Sequence, residues 1–130
     1  MSATDYARKK ILDDLTGVAP YSPPALYLAL LTSDPTEAGS FADEIVGAGY
    51  ARQPLAGVMG AADVTGFSVN TTLINFGPAT ADWGTITYLA VVDAPTGGNM
   101  ICPGVPATPR TITSGQPLQV PVGQLRLRLT

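Results

Sequence analysis

The 130-residue sequence contains no histidine and a single cysteine, Cys102. Without histidine the chain lacks the commonest general base and the commonest metal ligand. One cysteine excludes an intrachain disulfide and a multi-cysteine zinc site. Cys102 follows Ile101 in a strand-like run, so a small buried core residue is favoured over a nucleophile. No cofactor and no metal are predicted.

Charged residues are also scarce. They make up 13% of the chain, with a net charge of −3, whereas globular proteins average about 25%. Basic residues cluster only at 8–10, which is not the basic stripe that neutralises phosphates, so no nucleic-acid partner is predicted. Two explanations of the low charge stay open, namely a surface covered by partners or a surface of Thr, Ser and Gln.

Long apolar runs are missing as well. No run approaches the 18 residues of a membrane span, and residues 1–5 lack the apolar segment of a signal peptide. We therefore expect no membrane partner and a chain that is kept or assembled in the cytoplasm. The length predicts one main domain, with residues 1–24 as an N-terminal helix and proline-rich arm and residues 25–130 as a β-sandwich domain.

Residues 5–16 are predicted to form a helix. Thr4 or Asp5 can cap its N-terminus, and Gly17 can end it in the left-handed conformation. The pattern predicts that one apolar stripe docks on the domain or on a neighbouring subunit. The stripe consists of Ala7, Ile11, Leu12 and Leu15.

Two basic groups are candidates for contacts with an acidic partner. Arg8, Lys9 and Lys10 lie on the predicted helix, and Arg126 and Arg128 lie on the C-terminal Leu-Arg-Leu-Arg-Leu strand. For both groups a solvated face is the favoured alternative.

The remaining chain alternates short apolar runs with turn sequences. Residues 25–31 are apolar throughout, which favours a strand buried on both faces. Gly97-Gly98-Asn99 predicts a hairpin, whose return strand ends at Pro103. The prolines at 103, 106 and 109 confine that region to a sheet edge or an extended loop. At 118–122, Leu118, Val120 and Val122 are expected to point inward. The pattern predicts a mainly β fold, an antiparallel, jelly-roll-like β-sandwich with one N-terminal α-helix.

Residues 76–93 surround the single tryptophan and contain the longest β-prone run. We expect a strand to end near Phe76, a turn at Asp82-Trp83-Gly84, and a central strand to begin near Thr85. Burial beside Trp83 would raise the pKa of an acid at position 82, but a turn-capping Asp82 is favoured. Phe76, Asp82, Trp83 and Gly84 are therefore predicted to form a structural turn and part of the core.

Motifs for catalysis are absent from the sequence. There is no Gly-x-Ser-x-Gly elbow, no phosphate-binding loop and no Cys-x-x-Cys pair. The acidic residues at 34, 37, 43 and 44 lack the spacing of a calcium loop. Gly47-Ala48-Gly49 lacks the third glycine of a dinucleotide fingerprint and predicts a bulge or tight turn. The chain is not expected to be an enzyme.

Six motifs follow one another along the chain. They are Tyr6-Ala-Arg-Lys-Lys-Ile-Leu-Asp13, Leu15-Thr-Gly17, Pro24-Ala-Leu-Tyr-Leu-Ala-Leu-Leu-Thr-Ser-Asp-Pro35, Gly49-Tyr-Ala-Arg-Gln53, Phe76-Gly-Pro-Ala-Thr-Ala-Asp-Trp-Gly84 and Gly97-Gly-Asn99. In this order they resemble a family of small tailed-bacteriophage virion proteins usually labelled "phage tail fibre protein". The resemblance implies a β-rich, non-enzymatic virion component and brings no active residues with it.

Two functions fit these expectations. The first is a capsid decoration or cement protein, a homo-oligomer and specifically a homotrimer, that binds and stabilises the major capsid protein shell. The second is a tail-fibre or baseplate protein that binds a host surface receptor, with Trp83 stacking on a glycan. A buried Trp83 would favour the first function, and an exposed Trp83 the second.

Overall fold

The computed structural model describes the backbone of residues 3–22 and 24–127, and their side chains apart from those of 104–107. The chain runs through α1 (Asp5–Leu15), β1 (Tyr27–Leu31), β2 (Gln53–Pro54), β3 (Ser68–Val69), β4 (Ile74–Phe76), β5 (Gly84–Val92), β6 (Met100–Ile112), β7 (Leu118–Val120) and β8 (Arg126–Leu127). The prediction of a mainly β, antiparallel fold with an N-terminal helix is confirmed. Its jelly-roll-like character stays a prediction.

The strands form one four-stranded sheet and two ribbons. The sheet has the order β2-β1-β5-β6, and the ribbons are β3–β8 and β4–β7. Every pairing is antiparallel. Strand β5 lies between β1 and β6, and its Thr, Ile and Val residues are of the types favoured in strands. It begins at Gly84, close to the predicted start at Thr85.

The larger hydrophobic core lies between the sheet and the two ribbons. It contains Leu28 and Leu30 of β1, Phe76 of β4 and Leu118 of β7. A smaller core on the opposite face of the sheet contains Ala29, Leu31, Ala90, Val92 and Met100. Both faces of β1 are therefore buried, as residues 25–31 predict, and the layers agree with the predicted sandwich.

The prediction that the return strand ends at Pro103 is wrong, because β6 continues to Ile112. The strand lies at the edge of the sheet and pairs with β5 on one side only. Proline lacks a backbone N–H, and an edge strand tolerates this on its unpaired side. The register of the β5–β6 pair is irregular, and this irregularity accommodates prolines on the side that faces β5. The expectation of an edge position is confirmed.

The expectations for the C-terminal segment are partly wrong. Val122 is 59% exposed and not inward-facing, because β7 ends at Val120 and the chain turns there. The last strand is shorter than expected, covering Arg126–Leu127 in the described residues. Arg128 lies outside the residues that the structure describes.

Helix α1 is held to the sheet at its N-terminal end. Thr4 is 1% exposed, and its hydroxyl accepts a hydrogen bond from the Ala7 N–H at 3.2 Å as the helix cap. The Thr4 N–H donates to the Ile101 carbonyl at 2.9 Å, and its hydroxyl donates to the Met100 carbonyl. The C-terminal half of the stripe does not dock on the chain's own domain, since Leu12 and Leu15 are 61% and 78% exposed. Docking on a neighbouring subunit stays a prediction.

Replacing Thr4 with valine tests this anchor. The variant loses the cap and the buried hydrogen bond to β6, so the free energy of unfolding should fall by about 1–2 kcal/mol. Urea unfolding followed by circular dichroism measures the change. Thr16→Val is the control, because its hydroxyl bonds within the helix at an exposed position, and we expect a change below about 0.5 kcal/mol. Equal losses in the two variants would contradict the anchor.

The thiol of Cys102 is 4% exposed, and burial raises its pKa from 9.0 to about 11. The neutral thiol therefore favours the folded state fully below about pH 9, and this contribution is lost as the pH rises to about 11. We expect wild type to lose on the order of 2 kcal/mol more stability than Cys102→Ala over this range. Urea unfolding of both proteins at several pH values measures the difference. Parallel pH curves would contradict the prediction.

Candidate functional site

Three of the motifs from the sequence are linked through one loop. The loop of residues 44–52 contacts the turn of residues 77–84, which precedes β5, and the hairpin of residues 93–99, which follows β5. We call their shared side chains the motif cluster. It consists of Glu44, Tyr50, Arg52, Phe76 and Trp83.

Trp83 joins the turn to the loop. Its side chain is 6% exposed, and the indole Nε1–H donates to the carbonyl of Ala48 at 2.9 Å. The Thr80 N–H donates to the same carbonyl at 2.9 Å. The predicted tight turn is present, since Gly47, Ala48 and Gly49 all have positive φ values of 55–78°. Two of these three positions are glycine, which adopts such angles without strain.

Tyr50 packs against both aromatic neighbours. Its ring lies parallel to Phe76 at 6.2 Å and edge-on to Trp83 at 5.8 Å between centroids. Its hydroxyl donates to Glu44 Oε2 at 2.7 Å and accepts from the Leu30 N–H at 3.1 Å. Burial, together with the bond to Glu44, raises the pKa of Tyr50. The ring and its hydroxyl therefore connect the hydrophobic core to the ion pair beside it.

Arg52 and Glu44 form a buried, two-pronged ion pair. Arg52 Nε donates to Glu44 Oε2 and Nη2 donates to Oε1, both at 2.8 Å, and the side chains are 5% and 12% exposed. Arg52 Nη1 donates to the carbonyls of Ala94 and Gly97, each at 2.8 Å. The hydrogen bonds to Glu44 raise the pKa of Arg52, which stays charged and fixes the hairpin to the loop.

The hairpin contains two glycines whose backbone conformation shapes the loop that carries the bonded carbonyls. Gly97 and Gly98 have φ values of +60° and +73°. A Cβ atom on Gly98 would lie 2.5 Å from Asp93 Oδ1, and that oxygen accepts the Asn99 N–H at 2.7 Å. The Gly-Gly-Asn sequence thus shapes the loop that Arg52 holds.

The arrangement contains little reactive chemistry. Both oxygens of Glu44 are engaged by Arg52 and Tyr50. Asp82 is exposed, and its Oδ1 accepts the Ser114 N–H at 2.9 Å, so it bridges two turns. Gly84 has a φ of +86° at the start of β5. Among the described residues there is no group of three His, Cys, Asp or Glu side chains placed to hold a metal ion.

The predicted partner-contact residues have contacts within the chain. Arg8 pairs with Asp5 at 3.0 Å and with Glu37 at 2.9 Å, and Lys9 pairs with Asp13 at 2.6 Å. Lys10 lies over the ring of Tyr6 at 5.8 Å, and the Arg126 guanidinium lies over Phe67 at 4.4 Å. Contacts of this kind within one chain are typical of charged side chains at a protein surface. Contact of these residues with another protein stays a prediction.

Two concavities adjoin the motif cluster. One has a volume of about 460 Å³ and lies between residues 44–52 and the hairpin residues 95–97. The other, of about 300 Å³, lies between residues 42–46 and Asp82-Trp83. Val46 borders both and is 89% exposed.

Sequence reasoning missed Glu44, Tyr50 and Arg52 as a unit. Residues 50 and 52 do occur in the motif Gly49-Tyr-Ala-Arg-Gln53, but the sequence does not show that Arg52 also bonds to Ala94, 42 positions further along the chain. A lone arginine in a stretch of small and apolar residues was the available signal, since such a charge is buried only when it is paired.

None of the helices in residues 3–22 and 24–127 has the length and apolar character needed to cross a bilayer. The sequence profile of a family described as "Podophage GP4 fiber I protein gp80" matches residues 2–128. No curated protein matches the chain.

Proposed function

Since the chain belongs to the family described as Podophage GP4 fiber I protein gp80, we propose that it acts in a fibre of its virion by contact and not by catalysis. The membership makes it a structural protein of the phage virion. The finer proposal concerns its role there, as a rigid module that binds other virion proteins.

The internal use of the motif cluster carries this proposal. Polar atoms of Glu44, Tyr50 and Arg52 bond to one another or to backbone groups of the same chain. A catalytic group must reach substrate, whereas these groups hold loops together. A preorganised loop also loses less entropy on binding, which suits a module that works by contact.

The burial of Trp83 argues against stacking on a receptor glycan and favours contact with proteins, in capsid decoration as much as in a fibre. A stacking platform needs an open ring face, and Trp83 is 6% exposed with Tyr50 against it. Its indole N–H is bonded to Ala48. The ring is therefore part of the hydrophobic core.

Capsid decoration is the second candidate. Exposed large apolar side chains favour it, because a protein that covers a shell contacts its partners over an extended surface. They are Leu12, Leu15, Val18, Val46, Val64, Leu73 and Val122. In this role the chain would bind the major capsid protein as a homotrimer.

Electron cryomicroscopy of virions, with an antibody fragment against this chain as a marker, separates the two candidates. We expect the marker at the fibres. Marker spread over the head would replace the fibre proposal with decoration. Absence of the marker from purified particles would overturn both.

A further inference from the structure

We propose that prolines in the two outer strands of the four-stranded sheet prevent its extension by a strand of another chain, including a second copy of this one. We call them the edge prolines (Pro54, Pro103, Pro106 and Pro109). The inference goes beyond the proposed function, because it concerns one kind of contact that the chain avoids, in a fibre and on a shell alike.

The edge prolines are confined to the outer strands of the sheet. Strand β2 ends in Pro54, and β6 contains the other three. The inner strands β1 and β5 contain no proline. An inner strand needs its N–H groups on both sides, so the fold itself excludes proline there. An edge strand tolerates proline without requiring it, so four prolines at the edges call for a further explanation.

Strand β6 is the edge most in need of protection. It is 13 residues long, and within residues 3–22 and 24–127 it pairs with β5 on one side only. An unpaired edge offers a row of N–H and C=O groups to another strand. Since strands are typically about 5–6 residues long, β6 has the length to accept one. Strand β2 covers only two residues and is too short.

Prolines and the N-terminal segment divide the outer edge of β6 into short pieces. Thr4 bonds to the carbonyls of Met100 and Ile101 at the start of the strand. From residue 103 to residue 109, every third position is proline. The longest stretch of β6 free of both features is residues 110–112. An added strand would meet a position without an N–H before it reached a typical length.

Two further features of β6 disfavour an added strand. Its register to β5 shifts at three points, and such irregularities bend and twist a strand away from a flat partner. Arg110 is exposed within the three-residue stretch, and a charged side chain on an edge opposes pairing between sheets. Side chains and loops are thus left as the means by which the chain contacts other virion proteins.

The test restores a missing donor at this edge. Pro109→Thr lengthens the proline-free stretch from residues 110–112 to residues 107–112, and threonine is favoured in strands. Pro109 is exposed, so the change disturbs no core contact. Pro106→Thr is a second variant, which makes residues 104–108 free of proline. Sedimentation velocity measures association, and urea unfolding checks that each variant is folded.

Two controls separate the edge from the loss of a proline as such. Pro109→Lys removes the same ring but places a charge on the edge, which opposes pairing. Pro20→Thr removes an exposed proline that lies outside the strands. Both controls should sediment as wild type does.

We expect Pro109→Thr to associate at least about tenfold more strongly than wild type, because new backbone hydrogen bonds favour the paired state. Amide hydrogen exchange of residues 107–112 should slow in the associated protein. A folded Pro109→Thr that sediments as wild type, association without slower exchange in this stretch, or equal association of Pro109→Lys would each overturn the proposal. Should Pro109→Thr not fold, Pro106→Thr is judged in the same way, with slower exchange expected in residues 104–108.

Discussion

Replacing Arg52 with methionine is expected to lower the free energy of unfolding by about 3–5 kcal/mol, the usual effect of removing one partner of a buried ion pair. The carboxylate of Glu44, 12% exposed, would lose its counter-ion. The carbonyls of Ala94 and Gly97 would lose their donor. Methionine retains much of the side-chain length, so the loss would reflect charge and hydrogen bonding more than volume.

Urea unfolding gives this free energy, with a matched control at an exposed pair. Lys9→Met breaks the bond to Asp13, where the lysine side chain is 74% exposed, and we expect a change below about 1 kcal/mol. The double variant Glu44→Gln/Arg52→Met should recover part of the loss, because no unpaired charge stays buried. A loss for Arg52→Met no larger than for Lys9→Met would show that the ion pair does not hold the loop to the hairpin.

Replacing Trp83 with alanine is expected to lower the free energy of unfolding by about 3–5 kcal/mol. The indole is 6% exposed and packs edge-on against Tyr50, so its removal leaves a cavity in the larger core. Trp83→Phe keeps an aromatic ring but loses the bond to Ala48. The free energy of unfolding of this variant should therefore fall by less, about 1–2 kcal/mol, which includes the lost hydrogen bond.

Far-ultraviolet circular dichroism in urea measures both Trp83 variants, since the fluorescence of the single tryptophan is lost in each. Leu73→Ala serves as the control because Leu73 is 50% exposed, and we expect a loss below about 1 kcal/mol. If Trp83→Ala were as stable as this control, the side chain would not be part of the core. A role on the surface would then have to be considered.

Local patterns were sufficient to predict the helix, strand β1 and the turn after β5. The helix begins after its Thr4 cap, and the apolar run of residues 25–31 becomes a strand buried on both faces. The glycines of residues 97–98 lie in the loop between β5 and β6. Each of these features depends on residues adjacent in sequence, which is why single-sequence patterns detect them.

Three features that the sequence did not predict depend on distant contacts. Strand β6 passes through three prolines because it lies at an edge, and its position in the sheet is set by β5. The stripe on α1 has the periodicity of a buried face, yet the helix contacts the sheet near Ala7 and leaves Leu15 exposed. The bonds from Arg52 to Ala94 and Gly97 join segments whose approach is a result of the whole fold. Patterns in a single sequence do not show which distant segments come into contact.

The most direct measurement uses phage particles assembled without this chain, to which the purified protein is added back. We expect saturable binding to the particles, with the bound protein at the fibres, and no binding to host cells by the free chain. Arg52→Met should bind less in proportion to its unfolded fraction, whereas Lys9→Met should bind as wild type does. Failure to bind the particles together with binding to the host surface would contradict a role in contact between virion proteins.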